Sequence, residues 1–514
     1  MTSITRRIGI VSIMLLIVTG FAAIALRPDR GVLFADDASL AADTGGNKNK
    51  PDDSKNDPSG GQKSEEEMFG DEETVTPEEK IKDDSLPEEM EKKSLTFSGF
   101  LNSRSSGSYK RGSILRQIGI LDGTDFLSYF QSNFGLDARL PKGIRGYFNI
   151  SADYYPAGMP VSRTYQVPLQ YLGIPAYFTK VDLMAAEKIN AVFSINEVFL
   201  DINFDKRVYF RIGKQVLKWG VGYLWTPTDL ISIEKKNIQD SSQVMQGTYG
   251  LKIHVPFGTR ANIYSFIDLN SARHLSDISM ANKVEVLLKN TEMALSILVK
   301  KNNVPVYGFD FTSRIAGIDV HGEASLSYGD NRRRLRGYPW YLAAGTSPVP
   351  IEFLYLAPSD TSIMDRRVRG EWVPKASFGF GRGFEVKDVK DRIRFDVEVF
   401  YNHAGYDSYV FEKDFYNIGY FLSAGLYTPN YYGKYYAGAF ITIRQMFVEE
   451  LSAMINCIVN IGDQSSIVSG IISYAPYYDL TLNLMVNGFI GKENREYTVY
   501  GNYVVAELSA KLVF

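Results

Sequence analysis

The chain has 514 residues, with 33 Tyr, 31 Phe and 44 Gly but only 4 Trp, a composition that favours strands over helices. A single cysteine, Cys457, excludes an intramolecular disulfide framework, and the four scattered histidines match no metal-ligand spacing. The net charge of −3 conceals one acidic segment. The rest of the chain is only mildly basic, too weak a bias to favour nucleic acid as a partner.

The N-terminus carries Arg6 and Arg7 followed by an apolar run over 8–26. A basic start and an apolar core are typical of a secretory signal, so residues 1–35 are predicted to be a signal peptide. The small residues of "AIA" at 23–25 and of "LFA" at 33–35 offer two cleavage sites. An uncleaved anchor helix is the alternative, because a run of this length can span a bilayer.

Residues 36–93 hold 19 Asp and Glu against 8 Lys. Few apolar groups are available to offset the entropy of ordering, so this segment is predicted to be a disordered acidic linker in the periplasm. Met68 and Phe69 interrupt it within "EEEMFGDEE". They are either a chance apolar pair or a short docking motif for a basic periplasmic partner.

From 94 to 514 apolar and polar residues alternate in run after run, as in "FNISADYY" (148–155) and "RIRFDVEVFY" (392–401). Alternation gives each strand one apolar and one polar face. The runs span about 9–13 residues, longer than soluble strands usually are and long enough for a tilted strand to cross a bilayer. These residues are therefore predicted to form one transmembrane domain.

Short and long connections alternate along this domain. Short ones include "LPKGI" (140–144) and "KNT" (289–291), whereas long ones are expected at 157–190 and 219–242. Tyr and Phe gather at strand ends, as aromatic girdles do. Strands in lipid must close on themselves to satisfy their backbone groups. Eight short turns join 16 strands, and one strand before them and one after them bring the count to 18. The sequence therefore predicts an all-β, antiparallel up-and-down transmembrane β-barrel of about 18 strands, with 16 possible.

The polar faces of these strands should line the lumen. Charges of both signs there would set up a selectivity filter in a hydrated pore. The alternative is that they only solvate the wall or lock neighbouring strands together. The candidates are Asp153, Glu197, Asp201, Arg211, Lys252, Asp319, His321, Glu323, Arg392, Arg394, Asp396, Glu398, Glu507 and Lys511.

A loop predicted at 329–366 is the candidate constriction. It opens with Arg332, Arg333, Arg334 and Arg336 and then becomes apolar. Folded into the pore, these arginines would favour anions. Folded outward, they would contact anionic lipid headgroups, and the sequence leaves both positions open.

The segment 209–236 is the most distinctive stretch of the chain. Its motif comprises Gly213, Lys214, Gln215, Trp219 and Gly220. It resembles the "G-R/K-Q … W-G" stretch of large porin-like outer-membrane barrels, among them domain-of-unknown-function barrels and the alginate-export-like group. Lys214 stands where arginine is usual, and it shares a strand face with apolar Phe210 and Ile212, so a bulge would be needed to turn it inward.

The segment 506–514, "AELSAKLVF", alternates through Leu508, Ala510, Leu512 and Phe514. It resembles the recognition signal that the outer-membrane assembly machinery reads, which would make that machinery a partner. On this interpretation the segment is the closing strand and pairs with 95–103. Its apolar residues would then face lipid.

No nucleophile elbow, zinc-protease motif or phosphate loop is present, and the chain is predicted not to be an enzyme. His321 between Asp319 and Glu323 comes nearest to an acid–base group. No cofactor or metal is expected. The leading hypothesis is a channel of the bacterial outer membrane for passive diffusion of small hydrophilic solutes. A barrel that binds surface ligands through its long loops, or a transporter of a larger molecule such as a polysaccharide, are the alternatives.

Overall fold

The computed structural model describes residues 94–110, 126–165, 178–231, 243–270, 272–300, 303–330, 356–358, 370–387, 389–406, 428–493, 495–499 and 502–514. The predicted signal peptide and acidic linker lie outside these residues. The regular secondary structure of the described residues is strand, apart from two single-turn 3-10 helices at Pro141–Gly143 and Leu275–Asp277. None of the described residues belongs to a helix long and apolar enough to cross a membrane.

Nineteen strands of the described residues make up one sheet. They are β1 (Ser94–Lys110), β2 (Phe126–Leu140), β3 (Ile144–Tyr165), β4 (Phe178–Phe204), β5 (Val208–Gln215), β6 (Thr248–Phe257), β7 (Ala261–Asp268), β8 (Ser279–Leu288), β9 (Thr291–Lys300), β10 (Val306–Ile315), β11 (Ile318–Tyr328), β12 (Leu356–Pro358), β13 (Trp372–Val386), β14 (Val389–Asn402), β15 (Tyr435–Ile443), β16 (Leu451–Asn460), β17 (Ser465–Tyr477), β18 (Leu480–Ile490) and β19 (Asn502–Val513).

Eighteen of these strands close into a barrel. Each pairs antiparallel with its neighbour along the chain, and β1 pairs with both β2 and β19, which completes the ring. The three-residue β12 lies outside the ring, because β11 pairs directly with β13 while β12 pairs with the start of β4. The predicted count of 18 strands is confirmed.

The two ends of the barrel differ in the length of their connections. Eight short connections, such as 205–207 and 289–290, lie at the end where β1 begins and β19 ends. At the opposite end the connections are mostly longer, and in outer-membrane barrels the long-loop end is extracellular. The long loop expected at 157–190 is a partial error: β3 continues to Tyr165 and β4 begins at Phe178, so much of that segment extends the hairpin instead.

The outer and inner faces of the wall differ sharply in polarity. On β9, Leu295 is 65% exposed on the outside whereas its neighbour Ser296 is 7% exposed inside. On β13, Phe378 and Ser377 repeat the same contrast. An apolar outer face that continues around the whole ring is stable in lipid and not in water, so the fold is a transmembrane β-barrel.

The closing strand pairs with β1 as the sequence predicted, over 99–110 where 95–103 was expected. β19 pairs with β1 from Val513 opposite Phe100 onward, and the backbones of Gly99 and Phe514 exchange two hydrogen bonds of 2.8 and 3.0 Å. The apolar residues Leu508, Leu512 and Phe514 are exposed on the lipid side. The sheet therefore has no open edge at this seam.

Candidate functional site

One connection at the long-loop end folds into the barrel. Residues 216–231, here called the inserted loop, follow β5, and their contacts reach β11, β14 and β15. In a ring of 18 strands, β5 and β15 lie on opposite sides. A segment that begins at one and touches the other must lie within the lumen. Its buried side chains include Leu217, Trp219, Leu224, Trp225, Thr228 and Ile231.

Glu398 on β14 holds the tip of the inserted loop. Its carboxylate accepts backbone hydrogen bonds from the N–H groups of Tyr223 (2.9 Å), Leu224 (3.1 Å) and Trp225 (2.9 Å). The side chain of Glu398 is almost wholly buried. A loop without secondary structure leaves its N–H groups unpaired, so one buried acceptor that satisfies three of them is a strong anchor.

Glu323 on β11 is a second anchor of the same kind. It accepts hydrogen bonds from the Thr228 hydroxyl at 2.7 Å, the Thr228 N–H at 3.0 Å and the Gly222 N–H. Strand alternation directs Glu323 and Glu398 inward from β11 and β14. Two wall carboxylates therefore fix both flanks of the tip.

Glycine allows the tip to turn tightly. A Cβ at Gly222 would collide with the carbonyl oxygen of Trp225, and a Cβ at Gly438 on β15 would collide with the Leu224 side chain. The first position needs glycine for the turn and the second makes room on the wall. The inserted loop is thus matched to this part of the barrel by shape as well as by hydrogen bonds.

Aromatic packing completes the tip. The Trp225 ring, fully buried, stacks on Phe400 at a centroid distance of 5.6 Å and lies 5.8 Å from the ring of Tyr436. Its Nε1 donates to the carbonyl oxygen of Asn430 at 2.8 Å. Burial of an indole with its one donor satisfied is strongly stabilising.

The root of the inserted loop is fixed to the nearer wall. The Val216 N–H donates to Glu197 at 2.9 Å, and Lys283 Nζ on β8 donates to the Trp219 carbonyl oxygen at 2.8 Å. Trp219 also packs in a buried cluster with Phe266 and Ile231. The loop is consequently held at both its root and its tip.

Charged pairs occupy the wall of β2–β5. Arg145 forms a salt bridge with Asp137 at 2.8 Å, and the Arg211 guanidinium donates two hydrogen bonds of 2.6 and 3.0 Å to the Asp201 carboxylate. The Arg211 guanidinium also lies 3.9 Å from the centre of the Phe199 ring. These side chains are partly exposed to the lumen, so they give that wall a charged, hydrated surface.

A second charged cluster lies on β11 and β14, across the ring from the first. Arg394 contacts Asp319 at 2.9 Å and Asp396 at 2.8 Å, and its other neighbour is the hydroxyl of Tyr223 at 3.5 Å. Tyr223 belongs to the inserted loop. The lumen beside the loop therefore has charged groups on both of its walls.

The remaining candidates also point inward, each against a particular partner. Glu507 forms a bidentate pair with Arg104 at 2.8 and 3.0 Å, and the Arg392 guanidinium donates to the Gln445 carbonyl oxygen at 2.7 Å. Lys252 lies over the Tyr264 ring, Lys511 lies over the Phe100 ring, and Asp153 is opposite Gln131 on β2.

His321 is not part of an acid–base trio. Its Nε2 lies 3.3 Å from Glu398, and its ring packs edge-on against Tyr223. Asp319 is bound to Arg394, and Glu323 is occupied by the inserted loop. These three neighbours on β11 serve separate partners.

The sequence pointed to a different segment as the constriction. Arg332, Arg333, Arg334 and Arg336 lie outside the described residues, and of the loop predicted at 329–366 only β12 and the first two residues are described. Among the described residues, the segment that enters the lumen is 216–231, and the constriction at 332–336 stays a prediction. Trp219 and Trp225 were the available signal, since two buried-type aromatics in a connecting segment indicate that it packs against something.

The motif of the resemblance sits at the start of this loop. Gly213, Lys214 and Gln215 end β5, and Trp219 and Gly220 lie in the loop root. β4 and β5 pair in regular register up to Lys214, which donates to the Ile195 carbonyl oxygen at the outer face. No bulge turns Lys214 inward in this described pair of strands. Gln215, fully buried, is the inward residue.

No protein-family model and no curated protein matches the chain. Several solved structures are similar in fold. OccAB4 of Acinetobacter baumannii is 8% identical, with 83% of this chain and 99% of that chain covered and a TM-score of 0.46. OccK1 (OpdK) of Pseudomonas aeruginosa is 8% identical, with 82% and 98% covered and a TM-score of 0.46.

A triple mutant of the Rhodopseudomonas blastica porin is also similar, at 8% identity, with 82% of this chain and 100% of that chain covered and a TM-score of 0.38. The strand pairing itself defines the fold. Within the described residues, eighteen antiparallel strands close into a ring with an apolar outer face, so this chain folds as a transmembrane β-barrel.

Proposed function

We propose that the protein is a channel of the bacterial outer membrane through which small hydrophilic solutes diffuse passively, and that the inserted loop is its constriction. The observation that carries the proposal is the attachment of 216–231 to the wall on both sides of the ring. Barrels of 16–18 strands are wide enough to leave an aqueous channel. A loop fixed inside such a channel narrows it.

The charged walls support a hydrated path. The cluster on β2–β5 pairs Arg145 and Arg211 with Asp137 and Asp201. The opposite cluster pairs Arg394 with Asp319 and Asp396. Facing charges of both signs in a narrow passage orient dipolar solutes. Because each cluster contains both signs, we expect only weak selectivity between cations and anions.

The inserted loop favours small solutes over a polymer. Six hydrogen bonds donated to the carboxylates of Glu323 and Glu398 hold its tip, and a displacement large enough to admit a polysaccharide would break them together. Buried donors left unpaired cost about 1–3 kcal/mol each. A fixed constriction is therefore a better fit to diffusion of small molecules than to export of a large one.

Single-channel recording in planar bilayers tests this function. The purified full chain should give stepwise, ohmic conductance, and liposomes that contain it should swell in small sugars but not in large oligosaccharides. A variant with 220–228 replaced by a Gly-Ser segment of equal length should conduct more and admit larger sugars. Absence of channels from the correctly folded chain would overturn the proposal, and unchanged conductance in the variant would remove the inserted loop from the constriction.

A further inference from the structure

The tip of the inserted loop is held from the extracellular side as well as from the barrel wall. A second extracellular segment, 428–434, connects to β15 and touches the tip at two points. Trp225 Nε1 donates to the Asn430 carbonyl oxygen at 2.8 Å, and the Thr226 N–H donates to the Tyr431 hydroxyl at 3.0 Å. Both contacts are distinct from the bonds to Glu323 and Glu398.

Asn430 is in turn fixed by a third extracellular segment, 495–499. Its N–H donates to Glu496 Oε1 at 3.0 Å, and its side-chain oxygen accepts from the Tyr497 hydroxyl at 2.7 Å. The N–H, the carbonyl oxygen and the side chain of this one residue are thus all engaged. Asn430 therefore connects the constriction tip directly to Glu496.

Glu496 is the centre of a buried polar network. Besides Asn430, its carboxyl accepts from the Tyr436 hydroxyl at 2.8 Å and from Asn460 Nδ2 at 2.7 Å. Its own N–H donates to Asp463 at 2.6 Å. The side chain is 1% exposed, although it belongs to a loop at the extracellular end. A carboxyl buried so completely in a surface loop calls for a role beyond solubility.

We propose that Glu496 is a positioning residue for the constriction, which holds the tip of the inserted loop in place through Asn430. This inference rests on the proposed channel function, because it assigns a regulatory support to the same constriction. Release of Glu496 frees Asn430 and so removes the support of Trp225 from the extracellular side. The wall anchors at Glu323 and Glu398 remain, so the tip gains motion without leaving the lumen.

The network also makes the support sensitive to pH. Burial, the dominant cause, raises the pKa of Glu496 to about 8, and the nearby carboxyl of Asp463 adds to the shift. Hydrogen bonds from the Tyr436 hydroxyl and the Asn460 amide lower the pKa of Glu496. The buried Arg495 lies close to Asp463 and lowers the pKa of that carboxyl. Burial raises the pKa of Asp463 as well.

The sign of the effect follows from the raised pKa. A released Glu496 faces water and ionises near its ordinary value of 4.5, whereas the enclosed carboxyl ionises near 8. The released fraction therefore increases as pH rises between these two pKa values, and it reaches a plateau above about pH 8. Linkage limits the gain to about tenfold in the released fraction for each pH unit.

Recordings of the full chain between pH 5 and pH 9 test the proposal. The wild type should show more excursions to higher conductance as pH rises, with a plateau above about pH 8. Glu496→Gln keeps the shape of the side chain but cannot ionise, so its recordings should lose the pH-dependent part. Glu449→Gln is the matched control, because Glu449 is an exposed carboxyl in the short connection 444–450 at the opposite end, and it should retain the wild-type profile.

The possible outcomes separate the two proposals. A wild-type pH profile in Glu496→Gln would overturn the role of Glu496 and leave the channel function intact, whereas a wild type without channels would remove the channel function itself. If Glu496→Gln fails to insert, Tyr497→Phe decides. It removes only the hydroxyl that binds Asn430, and it should raise the frequency of excursions severalfold at pH 6. An unchanged frequency would overturn the proposal.

Discussion

Two walls of this barrel use the same kind of residue in different ways. On β2–β5, Asp201 faces the lumen and pairs with Arg211, and both side chains remain partly exposed, at 16% and 28%. On β11 and β14, Glu323 and Glu398 face the same lumen but are covered by the inserted loop and accept its N–H groups. Alternation brings all these carboxylates inward. What covers them decides whether they act as charges or as structural acceptors.

The difference between the two walls is one of energy. An ion pair that water still reaches contributes about 0–1 kcal/mol. A buried carboxylate that satisfies several backbone donors contributes more, and its loss leaves each donor unpaired. Substitution of the charged residues on the β2–β5 wall should therefore change the ion preference of the pore with little loss of stability. Substitution of Glu323 or Glu398 on the opposite wall should instead release the inserted loop.

Replacement of Glu398 should give the largest effect. Glu398→Leu leaves the N–H groups of 223–225 without an acceptor inside the barrel, at about 1–3 kcal/mol each. The tip should detach, with a large drop in unfolding temperature in detergent micelles and a rise in single-channel conductance. Asp201→Leu is the matched control on the other wall, and equal losses in the two variants would contradict the distinction between them.

A methyl group at the turn of the inserted loop should have the next largest effect. Gly222→Ala places its Cβ against the Trp225 carbonyl oxygen, and relief of such overpacking typically costs about 1–3 kcal/mol. Gly470→Ala is the control, since a Cβ there would meet nothing within 4 Å. Equal unfolding temperatures for these two variants would show that the tip is not tightly packed.

On the β2–β5 wall, a neutral substitution should change selectivity more than stability. Asp201→Asn removes the charge opposite Arg145 and Arg211, so the reversal potential in a KCl gradient should move toward anions. The unfolding free energy should change by no more than about 1 kcal/mol. Arg211→Gln should move the reversal potential the other way, and a shift of the same sign in both variants would contradict this interpretation.

The smallest effect is expected at Arg314 on β10, an exposed arginine beside the second charged cluster. Arg314 is 47% exposed and lies 3.3 Å from Asp319, which already has Arg394 as a partner. Arg314→Gln should change stability by less than about 0.5 kcal/mol, as most surface substitutions do. Arg394→Gln is the informative comparison, because its loss leaves the buried Asp396 without a cation and should destabilise measurably.

The wall was predictable from sequence and the inserted loop was not. Alternation in "RIRFDVEVFY" and the short turns depend on neighbours along the chain, so strand number and the closing strand could be derived. The bonds from Glu398 to Tyr223 and Trp225 join residues far apart in sequence, and no local pattern encodes them. For the same reason Asn430 and Glu496 gave no signal. Their roles arise only when three loops meet.

The seam between β1 and β19 has a consequence for biogenesis. Arg104 and Glu507 are 403 residues apart, and the chain-length part of closing such a loop is about 5 kcal/mol. Until β19 has been added, the growing sheet has two unpaired edges that can pair with another chain. The bidentate contact between Arg104 and Glu507 joins these two edges within one molecule. Closure of the ring is therefore the step at which folding and aggregation compete most directly.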